Sequence, residues 1–489
     1  MGSSVRFAMI GMSRPGLWAR VRVRVAAASL MMCAAAPGLA ADLTPQEAKK
    51  LAVDAYIYGY PLMTSDVTEK AFINTIAPNP QTFQAPLNQF VSLPKYPPAD
   101  YKGVTAPNAD TLYSAAFIDV SKEPILLSYP DMHGRYFLFP IYSQWTNVIG
   151  APGKRTLGTG AQTIAITGPN WRGSLPSGVA QEVKSPTNTV FIIGRVYADG
   201  TPADYAKVNA AQKEFKLVPL SSYGKPYTPP AGTIDPRAPS VKDKVRDVIG
   251  AMDTQAYFNA LALSMAVNPP VLPQDAPIVA EMAKIGLVPG EPFDLGKLPP
   301  VDQAALADVA TVASEQMAGQ QKTGNKVVNG WLLTLGTGEY GTKYLWRATV
   351  SNIGWGANLD KDAVYPSTKV SSDGAPLIGA NTYTVHFAKG ETPPVDGFWS
   401  ITMYDSSYFF YANALNKLAV SLRDNPVLNA DGSLDLYFSH DKPANAPQAN
   451  WLPAPAGQFI LMMRMYWPKE TSPSILDGTW SPPPVKKAG

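Results

Sequence analysis

The chain has 489 residues, of which 46% are apolar and 16% charged, and it carries 47 prolines. That length exceeds one simple core, and that balance excludes an intrinsically disordered chain. The formal net charge is +3, but the basic excess sits at the start.

Arg20, Arg22 and Arg24 precede an apolar run from Val25 to Leu39 that ends Gly38-Leu39-Ala40-Ala41. This is the order of a signal peptide: basic region, apolar region, small-residue cleavage site. Residues 1–41 are therefore expected to be removed on export, giving a periplasmic or secreted protein. The alternative for so short a run is an uncleaved anchor, and no later stretch is long enough to span a membrane. Taking the segment's five arginines from the 41 Lys and Arg leaves 36 against 38 acids, a net of −2. No nucleic-acid partner is implied. The single cysteine, Cys33, also lies in this segment. Its removal leaves no disulfide and no cysteine catalysis.

Thr44-Pro45-Gln46-Glu47 then reads as a capping box with proline at the first helical position. Ala48, Leu51, Ala52, Ala55, Gly59 and Leu62 follow at helical spacing. Tyr56, Tyr58 and Tyr60 surround Gly59, and Pro61 is expected to kink or end the helix. These phenols read as a core helix end or as a pocket lining.

The stretch Asn108-Ala109-Asp110-Thr111-Leu112-Tyr113 places an amide, a carboxylate and a phenol at a strand entrance. Such a turn suits substrate binding, a general base or a hard cation. The same residue types also build ordinary turns by bonding their own backbone. Arg135 to Tyr142 and Thr189 to Val196 read as buried strands, the second interrupted by Gly194 and Arg195. Residues 42–200 are expected to form an N-terminal helix plus a β-rich domain.

Helical spacing dominates 201–325, with segments at 203–215, 241–252, 254–266, 277–285 and 301–320 separated by Pro- and Gly-rich links. A bridging segment, 326–380, contains Gly336-Thr337-Gly338-Glu339-Tyr340-Gly341. The spacing matches a dinucleotide fingerprint, but Ile353-Gly354-Trp355-Gly356 makes no second parallel strand, so it reads as a decoy. Strands return at 382–387, 398–404, 433–438 and 459–466 in a C-terminal domain, 381–489. The fold class expected is α+β and multi-domain: two β-sandwich or jelly-roll-like domains with a helical domain between them.

One order of motifs recurs. Gly134–Tyr142, Asn170-Trp171 and Phe191–Tyr197 are echoed by Gly397–Tyr404, Asn450-Trp451 and Phe459–Tyr466. Two related β domains, each with an arginine inside a buried strand, would explain this; unrelated strand orders would refute it.

At these residues the chain resembles two bacterial families. Ala55–Leu62, Asn108–Ser114, Gly153-Lys154-Arg155-Thr156 and Arg195 resemble domain of unknown function 1254. Pro393-Pro394-Val395, Phe398-Trp399-Ser400, Asp431-Gly432-Ser433, Asn450–Pro453 and Arg464-x-Tyr466 resemble domain of unknown function 1214. Tyr340-Gly341, Arg347-Ala348, Asn358 and Tyr365 resemble the bridge between them. The resemblance implies a multi-domain fold with sandwich or jelly-roll parts and carries no activity with it.

The three histidines, His133, His386 and His440, are far apart, and there is no Gly-x-Ser-x-Gly elbow or P-loop. No metal site is assigned, and the cofactor is left unknown. Asp110 with Asn108, backed by Tyr113, is the general-base candidate. Arg135, Arg155 and Arg347 are candidates for holding an anionic group, or else form structural ion pairs. Trp145, Trp399, Tyr404 and Trp451 are candidates for a stacking surface, with Tyr58 as a substrate-binding pocket phenol, or else they belong to the core. The expectation favoured is an exported enzyme of hydrolase or lyase type acting on a small molecule or glycan between domains. The alternative is a non-catalytic periplasmic binding or envelope protein, and a homo-oligomer is left open.

Overall fold

The computed structural model describes residues 43–488, so the expected signal peptide at 1–41 lies outside the described residues. No helix among the described residues is long and apolar enough to cross a membrane. The chain is multi-domain, mixing helices with several largely antiparallel sheets.

The first helix, Pro45–Phe72, starts at the capping box read from sequence. Thr44 Oγ1 accepts from Glu47 N, and the Glu47 carboxylate accepts from Thr44 N. Pro61 neither ends it nor limits it, and the helix continues to Phe72. A missing N–H and a ring clash cost about 3 kcal/mol in a helix interior. Here every residue from Ala55 to Ser65 is buried, and that packing outweighs the lost bond. Their partners are Val245–Gly250, Thr254–Val267, Ala276–Lys284, Pro300–Ala305, Val309–Thr323 and Tyr344–Gly354, which share one core with this helix. The helix expected to accompany the first β domain is thus the axis of the helical unit, and 344–354 of the expected bridge packs on it. Gly59 permits close approach: a Cβ there would lie 2.3 Å from a Leu261 methyl.

Two β units flank this bundle, and they repeat one strand order. In the first unit, Thr111–Asp119, Thr189–Tyr197, Ile141–Ser143 and Val148–Gly150 are successive neighbours in a large sheet. In the second, Ser367–Thr368, Phe459–Pro468, Val395–Asp405 and Ala419–Ser421 hold the same places. The smaller sheets also agree. Lys216–Pro219, Ile125–Tyr129, Gln162–Thr167 and Gln181–Lys184 correspond to Lys486–Lys487, Tyr383–Phe387, Leu434–Ser439 and Trp451–Pro453. In each the last pair is parallel, the others antiparallel. The echo Phe191–Tyr197/Phe459–Tyr466 therefore falls on equivalent central strands.

Strand periodicity decides what those strands show. Val190, Ile192 and Val196 enter the core of the first β unit, leaving Arg195 and Tyr197 on the other face. Phe459, Leu461, Met463 and Met465 enter the core of the second, leaving Arg464 and Tyr466. The two outward faces meet. Tyr136, Leu138, Ala363 and Tyr466 pack together there, and the Tyr197 and Phe398 rings lie 4.5 Å apart.

The GxGxxG stretch is an irregular loop. The strand before it, Trp331–Leu333, has only antiparallel neighbours. Gly336 N, Thr337 N and Thr337 Oγ1 all donate to the Asp360 carboxylate. Gly336, Gly338 and Gly341 have φ of 72°, 78° and 55°, so these glycines shape a turn.

Candidate functional site

Asn108 folds the turn onto itself. Its Oδ1 accepts from Asp110 N at 2.6 Å and from Thr111 N at 3.0 Å. Its Nδ2 donates to Tyr466 Oη of the second β unit at 2.6 Å. Asp110 is fully buried and also crosses the seam. Oδ1 accepts from Arg423 Nη1 at 2.8 Å, and Oδ2 accepts from Ser400 Oγ at 2.7 Å. Arg423 Nη2 donates to Ala109 O at 2.9 Å. A carboxylate with both oxygens engaged by a guanidinium and a hydroxyl is a strong inter-unit tie.

Tyr113, two positions along the strand from Thr111, faces the seam opposite Arg195 in register, with the guanidinium 5.5 Å from its ring centre. Arg195 Nη1 donates to Asn358 Oδ1 at 2.8 Å, and Asn358 Nδ2 donates to Tyr365 Oη at 2.7 Å. The Tyr365 ring lies 5.3 Å from the Arg464 guanidinium. Arg464 Nη2 donates to Ala106 O, Pro107 O and Tyr404 Oη at 2.8, 3.2 and 2.6 Å. Burial pushes the Tyr365 phenol up to about 12, against the pull of Arg195 and Arg464. Burial also holds Tyr466 well above the ordinary tyrosine value. These two phenols are therefore neutral near pH 7.

The expected site residues separate into four places. Asn108, Asp110, Tyr113 and Tyr404 are at the seam. Trp399 points the opposite way, into the core of the second β unit 5.5 Å from the Phe387 ring, because its neighbours Phe398 and Ser400 take the seam face. Arg135 and Arg155 are in ion pairs. Arg135 Nη1 and Nη2 bind the Asp204 carboxylate at 2.9 and 2.5 Å, and Arg155 Nε binds Asp362 Oδ1 at 2.6 Å. Tyr58, Trp145 and Arg347 do meet, but inside the helical unit. The Arg347 guanidinium lies 5.4, 5.2 and 5.2 Å from the rings of Tyr58, Trp145 and Tyr344. Tyr58 and Tyr344 hydroxyls both donate to buried Asp275, at 3.0 and 2.9 Å. An open cleft of about 670 Å³ borders this cluster at Tyr344. Trp451 lies in the smaller sheet of the second β unit, its Nε1 donating to Ser439 O and Oγ at 3.3 and 3.2 Å, so Trp145, Trp399, Tyr404 and Trp451 do not form a single stacking surface.

His386 bonds Asp435 at 2.7 Å on an exposed strand face, and His440 bonds Ala454 O at 3.1 Å. Among the described residues, no group of three or more His, Cys, Asp or Glu is placed to hold a metal. Arg423 gave no signal in the sequence. Arg195, Asn358, Tyr365, Ser400, Arg464 and Tyr466 belong to the motifs that carried the family resemblance, and they converge here.

Comparison with known proteins places the chain's families. Residues 87–219 match the family described as "Protein of unknown function (DUF1254)", and residues 362–470 match "Protein of unknown function (DUF1214)". The chain thus combines the two domains in that order. Among solved structures it is similar to the VPA0106 protein from Vibrio parahaemolyticus, at 24% identity and a TM-score of 0.66. That match covers 90% of this chain and 100% of the other. An uncharacterized protein from Burkholderia cenocepacia matches at 12% identity and a TM-score of 0.41, over 91% of this chain and 93% of that one. The first likeness shows the fold alone. No curated protein matches.

Proposed function

We propose that this is an exported, non-catalytic protein that binds a small-molecule ligand at the seam between two sandwich-like β units. The observation that carries this reading is the use made of Asp110. The carboxylate best suited to act as a base is fully buried, with one oxygen on Arg423 and the other on Ser400. Beside it stand the neutral phenols of Tyr365 and Tyr466, the Asn358 amide and the half-buried Tyr113. Phenols and amides ringed by a rigid two-sheet scaffold recognise and orient a ligand without transferring a proton to it.

A hydrolase or lyase keeps one observation in its favour. The Asp110–Ser400 hydrogen bond is the contact a carboxylate base needs to a hydroxyl nucleophile. Mature protein incubated with a metabolite and glycan extract, followed by mass spectrometry, separates the two readings. Binding gives compounds that co-purify unchanged. Compounds consumed by the wild type and spared by Asp110→Asn would replace this reading with the enzyme.

A further inference from the structure

The seam carries more buried positive charge than the protein neutralises. Arg155, Arg195, Arg423 and Arg464 meet there with two buried aspartates, Asp362 and Asp110. Arg155 pairs with Asp362 and Arg423 with Asp110. Arg195 and Arg464 are in no ion pair among the described residues, although only 7% and 5% of their surface is exposed. Asp362 lies within electrostatic reach of Arg195, with Oδ1 on Arg155 and Oδ2 without a hydrogen-bond partner, and its single charge is shared between the two arginines. The remaining partners of the two free arginines are backbone carbonyls, an amide and a phenol. These orient a guanidinium and do not neutralise it. The Nε atoms of both arginines have no hydrogen-bond partner at all. Two aspartates among four guanidiniums leave a net positive charge in the seam, which is unfavourable when buried, and each orphaned Nε donor adds to that cost.

The two arginines occupy matching positions in the repeated strand order, on the seam-facing sides of Thr189–Tyr197 and Phe459–Pro468. The Asn358–Tyr365 pair stands between them, bonded to Arg195 at one end and lying under Arg464 at the other.

We propose that the seam binds a compact organic dianion, with one carboxylate against Arg195 and the other against Arg464. This deepens the ligand-binding reading and rests on it. Guanidinium forks match carboxylates bidentately, the Tyr113 and Tyr365 rings supply flat walls, and the repeated scaffold explains two acidic groups on one ligand.

The test titrates mature protein, dialysed into low salt, with succinate, glutarate and adipate by calorimetry, using propionate and catechol as monoanion and neutral controls. One site per chain is expected, with the best dianion bound at least roughly tenfold more tightly than propionate. Arg464→Lys should lose most of that preference. Since an arginine variant can fail to fold, Tyr113→Leu, which removes one of the flat walls, supplies a second reading: weaker dianion binding with an unchanged melting temperature. Wild-type protein that takes up catechol but no dianion would overturn the dianion and leave a ligand at the seam. Wild-type protein that binds none of the probes, and carries no co-purifying compound, would overturn both.

Discussion

Replacing Asp110 with asparagine tests whether this residue ties the two β units together. The side chain keeps its shape and one acceptor oxygen but loses its charge. Arg423, whose side chain is 14% exposed, then retains Ala109 O at 2.9 Å and loses its buried carboxylate. Ser400 Oγ, 2.7 Å away and fully buried, faces either the asparagine oxygen or its amide. Removing one partner of a buried ion pair costs about 3–5 kcal/mol. The retained oxygen and the Ala109 contact bring the expected loss to the lower end, ~2–3 kcal/mol. A chain of several units need not unfold in one step, so urea unfolding should be followed together with hydrogen exchange. Exchange should rise first at both ends of the tie, around residues 108–113 and 400–423. A cycle with Arg423→Gln should show coupling, the double variant being less damaged than the two single losses added together. An Asp110→Asn protein with wild-type unfolding midpoint and exchange would refute the structural role.

Three further outcomes follow from other parts of the molecule. Glu69 accepts from Gln144 Nε2, and burial pushes its carboxyl up to about 8. A carboxyl raised in the folded state favours folding below its unfolded value of 4.5, and that contribution is lost as pH rises through about 8. Glu69→Gln should therefore gain on the wild type between pH 5 and pH 9, by up to ~4 kcal/mol in urea midpoints compared across pH; a constant difference would refute it. Gly59→Ala should destabilise by about 1 kcal/mol in thermal melts, because overpacking Leu261 costs more than the ~1 kcal/mol that alanine returns to a helix. A higher melting temperature would show that the bundle yields there. Trp399→Phe should cost ~1–3 kcal/mol of stability and leave ligand affinity within about twofold, since its ring faces the core; lost binding with intact stability would return Trp399 to the site.

Much of this architecture was legible because local rules and tertiary packing agree. The capping box at Thr44, the helices of 254–266 and 277–285, and the strands at 189–196 and 459–466 follow from spacing, each to within one or two residues at its ends. The repeated order of Gly134–Tyr197 and Gly397–Tyr466 also pointed to matching strand orders. Pro61 misled, because a local cost was overruled by burial on all sides. The site was half legible: the Asn108–Tyr113 turn announces itself, but its partners Ser400 and Arg423 lie some 290 and 313 positions away. Nothing in a local pattern tells which face of a strand meets another unit, and Trp399 and Tyr404 share one strand yet face opposite ways. Tyr58, Trp145 and Arg347 were singled out separately, and nothing in their local patterns shows that helix packing brings them together.

The helix Pro45–Phe72 precedes almost everything it packs against. Its helical partners begin at Val245 and end at Gly354, so although Trp145 and Phe117 reach it from the first β unit, much of its apolar surface stays uncovered until most of the chain has been made. Contacts so distant in sequence carry a large loop-closure cost before they return anything, which slows folding and prolongs the exposure of sticky intermediates. Shortening the chain from its C-terminal end to before Tyr344 would leave that helix without its last neighbour. Maturation is thus ordered from the middle outward: the β unit of residues 91–219 can close on its own strands, while the oldest segment of the chain waits for some of the youngest.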